Sequence, residues 1–133
     1  MAKAKWLIGY AATYPNAIIR YHASKMFLHI DSDAAYLVMP VARSVYAGHF
    51  YLSDWPRDKP NLLSTKHNGP ILTTCKTIRN VVSSAAEAET TGTFCNSKEG
   101  VAILPSLIGL GHKQPPTPLK TDNSTTDGFV NSC

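Results

Sequence analysis

With 133 residues, 44% of them hydrophobic, the chain has the size of one domain with a core of ordinary dimensions. Thirteen Lys and Arg against nine Asp and Glu give a formal charge of +4, compatible with a polyanionic partner, but the basic residues form no run that demands one. No apolar run approaches the roughly 20 residues that cross a bilayer, so no membrane partner is expected. Three cysteines without paired short spacing point away from a zinc ribbon or disulfide framework and toward an intracellular setting.

Residues Ala2 to Ala12 predict a short helix ended by Tyr14 and Pro15, because the residue before proline is pushed out of the helical region. Lys3 and Lys5 before this minimal apolar stretch, with no small-residue cleavage site after it, do not make a secretory signal. The segment 1–20 reads as a connector, and 21–133 as the globular domain. Met26 to Ile30 is a compact apolar run that predicts a strand ending at Asp31 and Asp33. Ser44 to Leu52 and Pro70 to Cys75, the latter after the Asn68-Gly69 turn signal, predict a second and third strand. Pro56, Pro60 and several charges make Ser53 to His67 a long exposed loop.

Ser84 and Glu87 have the spacing of a capping box, so a helix is expected to begin there and run to about Lys98. Its interior is weakened by Thr90, Thr91, Gly92 and Thr93. Pro105 predicts a break and a second short helix to Leu110, with Gly109 and Gly111 as stop signals. Gln114 to Pro118 is a stiff lead-in to a short strand over Leu119 to Thr121, after which Asp122, Asn123 and Ser124 offer caps for a last helix through Phe129 and Val130.

Five of the nine acidic residues fall in three short words: Asp31, Ser32, Asp33; Ser83 and Ser84 leading to Glu87, Ala88, Glu89; and Thr121, Asp122, Asn123, Ser124. In this order, and from about Tyr21 to the end, the chain resembles the ribonuclease H domain of copia-type long-terminal-repeat retrotransposon polyproteins. That family reads Asp-Ala-Asp after its first strand, Ser-Ser-x-Glu-Ala-Glu at its first long helix and Cys-Asp-Asn-x-Ser after a later strand. The resemblance implies an α/β domain of ribonuclease H-like type, a mixed sheet with helices packed on it. The first three strands would be antiparallel and the fourth would lie parallel beside the first. It implies Asp31 as the first-strand ligand, Glu89 as the helix ligand and Asp122 as the ligand after the later strand. These would hold Mg²⁺, with Mn²⁺ as a substitute, to hydrolyse the RNA strand of an RNA–DNA hybrid. The expected partners are that hybrid and the reverse transcriptase portion of the same polyprotein, in a cytoplasmic particle or the nucleus.

Hard divalent cations prefer carboxylate, phosphate and water oxygens, which is why this chemistry needs clustered Asp and Glu on rigid elements. Taken one by one the same residues have plain alternatives: Asp31 and Asp33 a solvated strand end, Glu87 an N-cap partner, Glu89 a helix face, Asp122 a cap. Glu87 has the capping role, which leaves Glu89 as the ligand, and Asp33 is accessory. The five histidines show no zinc spacing, and the Asn123-Ser124-Thr125 triplet reads as chance rather than glycosylation. Family members continue past this point with another strand and a closing helix that bring a fourth carboxylate and a histidine. Neither can be assigned before Cys133, so the domain is expected to be truncated at its carboxyl end and to cleave weakly or not at all. A catalytically dead relic serving as a nucleic-acid-binding or interaction scaffold stays open as the alternative.

Overall fold

A computed structural model of the chain describes residues 2–54, 68–124, 126 and 128. Most of the expected loop after the second strand, and much of the expected last helix, lie outside these residues. The first helix, α1 (Ala2–Thr13), leaves its large apolar side chains in solvent, with Trp6 80% exposed, and adds nothing to the core. The chain is tied to the rest of the fold from Arg20 onward. Its carbonyl accepts from the Gly69 amide at 3.1 Å, the Tyr21 hydroxyl donates to Pro70 O at 2.9 Å, and the His22 amide donates to Asn68 Oδ1 at 2.8 Å.

Strands β1 (Phe27–Met39), β2 (Arg43–Ser53) and β3 (Pro70–Thr77) form an antiparallel meander, and the two-residue β4 (Leu119–Lys120) lies parallel beside β1. The order β3-β2-β1-β4 is that of the expected mixed sheet. β1 runs well past the aspartates that were expected to end it, because β2 continues to pair with it through Ala35, opposite Val45, and again at Met39, opposite Arg43. Asp31 is therefore inside a strand. The β1–β2 connection, Pro40 to Ala42 between the paired Met39 and Arg43, places Val41 and Ala42 at φ of 62° and 50°, the left-handed conformation that Asn and Gly adopt readily and that a β-branched residue resists. Replacing this pair with Asn and Gly (Val41→Asn, Ala42→Gly) should raise stability by about 1–2 kcal/mol in urea unfolding. An unchanged midpoint would show that the turn relaxes without strain.

Helix α2 (Ala85–Gly109) crosses the sheet as one element of 25 residues, where a break at Pro105 and a first helix ending near Lys98 were expected. Pro105 sits on the solvent side, so the carbonyl four residues earlier can be satisfied by water. Ile103, Leu104 and Leu107 on the inner side pack against Leu28, Ile30, Phe50 and Leu52 and hold the helix through the proline. The left-handed Gly111, with φ of 91°, follows the helix, and the His112 amide donates back to Leu107 O at 3.0 Å. At the other end Ser84 caps the helix, the Glu87 amide donating to Ser84 Oγ at 3.1 Å, while the return contact of Glu87 falls one residue earlier than in a capping box: its Oε2 accepts from the Ser83 amide and hydroxyl, both at 2.7 Å.

Gly92, the weak point of the helical pattern, lets α2 approach the sheet closely: a Cβ there would lie 3.0 Å from Tyr46 Cβ and 3.5 Å from Ala34 Cβ. One apolar cluster surrounds Phe50, and another comprises Tyr46, Ile78, Val82 and Ala88. Between them lies Asn96, 0% exposed, whose Nδ2 donates to Ser32 Oγ and Ala47 O, both at 2.8 Å, and whose Oδ1 accepts from Thr74 Oγ1 at 3.5 Å. Ser32, Gly48 and Thr74 are register partners across β1, β2 and β3, and Gly48 supplies the space that the amide fills.

Candidate metal centre

Along the outer edge of β1, alternate amides point away from β2 and find a succession of unlike acceptors. The Leu28 amide donates to Gln114 Oε1 at 3.0 Å, the Ile30 amide to Pro118 O at 3.1 Å and the Ala34 amide to Glu89 Oε1 at 3.2 Å. The glutamate thus takes the place of a strand carbonyl at the point where β4 has stopped. β4 pairs Leu119 with Ile30 and Lys120 with Asp31, and no further. Carrying that parallel register on by two residues brings Asp122 abreast of Asp33, with both side chains on one face of the pleat.

Asp33, Glu89 and Asp122 accordingly bring one carboxylate oxygen each to within 4.8 Å of one another. Two of the three expected ligands, Glu89 and Asp122, meet here. The third, Asp31, does not belong to the group, and Asp33 takes its place. The physical reason is the length of β4. Asp31 is enclosed by strands on both sides, with His49 opposite on β2 and Lys120 on β4, whereas Asp33 stands where the β1 edge opens and α2 can reach it. The sequence held one usable signal for Asp33, since residues two apart on a strand share a face. It held none for where a two-residue strand would end.

Glu89 is only 7% exposed, whereas Asp33 and Asp122 face solvent. Burial raises the Glu89 pKa, the neighbouring negative charges of Asp33 and Asp122 add to the rise, and the Ala34 amide opposes it. Its Oε2 is buried and accepts no hydrogen bond among the described residues. A buried carboxylate oxygen without a donor, beside two further carboxylates, is the donor set that a hard cation satisfies. Two oxygens at about 2.1 Å from one octahedral Mg²⁺ are about 3.0 Å apart when adjacent and about 4.2 Å when opposite, so a group spread over as much as 4.8 Å has to draw in to hold one ion directly. Behind the site, Thr126 Oγ1 lies 3.4 Å from Thr90 Oγ1 and its amide donates to Asn123 Oδ1 at 3.2 Å, which fastens the segment after Asp122 to α2 one residue from Glu89. Glu87 has no share in the group: hydrogen bonds from Ser83 lower its pKa and keep it at the helix cap.

No helix among the described residues is long and apolar enough to cross a membrane. Comparison of the chain with known protein families, with curated proteins and with solved structures returned no match.

Proposed function

We propose that this chain is a ribonuclease H-like nuclease domain of a retroelement polyprotein, using Asp33, Glu89 and Asp122 to hold a divalent cation and hydrolyse the RNA strand of RNA–DNA hybrids. The observation that carries the reading is the meeting of three carboxylates from β1, from α2 and from the segment after β4, the three places where the acidic words occur. Bound Mg²⁺ or Mn²⁺ supplies charge neutralisation at the phosphate and a polarised water. The protein's part is orientation. Ala34 fixes one oxygen of Glu89 and leaves the other without a hydrogen-bond donor among the described residues, while Asp33 and Asp122 are exposed and so accessible to a phosphodiester. The exposed apolar side chains of α1 suit a segment that meets the reverse transcriptase portion of the same polyprotein.

The test is cleavage of an end-labelled hybrid with Mg²⁺ and with EDTA. Metal-dependent cleavage should fall by about 100-fold or more in Asp33→Asn and by less in Asp31→Asn, because loss of a ligand leaves the cation loosely held. Equal cleavage by wild type and Asp33→Asn would defeat the assignment. A second reading, a relic that binds hybrids without cleaving them, is favoured by the position of Asp31, which the family resemblance makes a ligand and the register sets apart from the carboxylate group. It requires hybrid binding that persists in EDTA with no cleavage when metal is restored.

A further inference from the structure

On the far side of α2 from the carboxylates, a cleft of about 600 Å³ opens between the helix and the hairpin-proximal ends of β2 and β3. Thr91 and Cys95, which line it, lie roughly 200–240° around the helix axis from Glu89. Tyr46 and Ile78, both buried, form a fixed floor. The walls carry three cations, Arg43, Lys76 and Arg79, and no carboxylate. Lys76 is held from outside by Glu99, with Nζ 2.6 Å from Oε1, so its charge is partly compensated. Arg43 and Arg79 make no ion pair among the described residues, and both residues are exposed as well as lining the cleft.

We propose that this cleft binds a phosphate group, with Arg43 and Arg79 as its two charged arms and Asn80 and Thr91 as neutral donors. A guanidinium presents its donors in a planar fork that matches two phosphate oxygens at once, and a bound anion relieves the mutual repulsion of cations gathered in one recess. The cleft is open on one side, so the phosphate can be free inorganic phosphate or one unit of a nucleic-acid backbone passing over the rim. The site stands apart from the carboxylate group and needs no cation, which makes it testable in EDTA whether or not the nuclease reading holds.

Two ligands are titrated in EDTA: inorganic phosphate, followed by amide NMR shifts, and a short fluorescent RNA–DNA hybrid, followed by anisotropy. In the wild type, phosphate should shift the amides of Arg79, Asn80 and Thr91, and the double variant Arg43→Gln, Arg79→Gln should abolish the shifts. The same variant should weaken hybrid binding by roughly tenfold and lower the salt slope by about one, for the single backbone phosphate that the two arginines share. Lys25→Gln with Lys113→Gln, an equal change of charge at exposed positions outside the cleft, should change either ligand's affinity less than twofold. Loss confined to the hybrid identifies a backbone phosphate as the occupant, and loss confined to inorganic phosphate identifies the free anion. The proposal is overturned if neither ligand responds to the arginine variant, or if the lysine control loses as much. All four substituted residues are exposed, and a far-UV circular dichroism spectrum checks that each variant folds.

Discussion

Glu89→Gln should stabilise the metal-free protein at neutral pH and at the same time eliminate its response to divalent cations. Burial holds the Glu89 proton more tightly in the folded state than in the unfolded chain. Below the ordinary glutamate range both states are protonated and no penalty exists. As pH rises from that range through the raised folded value, the unfolded chain ionises first, the native state binds more protons, and stability falls. Glutamine carries no such charge, so the descending limb should disappear from a plot of stability against pH. In the wild type, millimolar Mg²⁺ or Mn²⁺ should raise the melting temperature and flatten or reverse the same limb, since a cation bound only to the native state favours the ionised carboxylates. A melting curve indifferent to metal in the wild type, or a metal response that survives in Glu89→Gln, would mean that the three carboxylates are separate, solvated groups.

Asn96→Leu should lower stability by about 3 kcal/mol or more, although the side chains are similar in size, because it sets an apolar group against Ser32 Oγ, Ala47 O and Thr74 Oγ1 with no water to replace the lost partners. Gly48→Ala should cost about 1–3 kcal/mol by a different route, since its new methyl group would overlap the Asn96 amide oxygen and force the helix outward. The two substitutions press on one contact, so their effects should be less than additive, and a double-mutant cycle in urea measures the shortfall. A loss below 1 kcal/mol for Asn96→Leu would show that the amide is a passenger between two self-sufficient apolar clusters.

Local chemistry was readable in the residues, and tertiary chemistry was not. Ser84 and Glu87 announce the start of α2 because a cap is completed within a few positions, and Gly111 announces its end for the same reason. Pro105 misleads because the propensity against it is local, while Leu107 and its neighbours, packed on the sheet, outweigh it from a distance. Asn96 carries no signal at all: an asparagine within a helical pattern reads as surface until three strands are known to pass beneath it. Apolar runs and caps marked the individual strands and the start of α2, whereas the mixed sheet and the meeting of Glu89 with Asp122 were expected only through the family resemblance that the acidic words carry. The exchange of Asp31 for Asp33 was legible in neither, since it depends on a strand whose end leaves no mark in composition.

The Gln114 carboxamide, which donates through Nε2 to Met26 O at 2.9 Å as it accepts from the Leu28 amide, behaves as a detached piece of strand. Its consequence is mechanical. β4 is too short to choose its own alignment against β1, and sliding it by one position would move Asp122 by about 3.3 Å and turn its side chain to the opposite face. Gln114 acts as a detent that denies this slip, so the gap between Asp33 and Asp122 is set by an amide that touches neither of them.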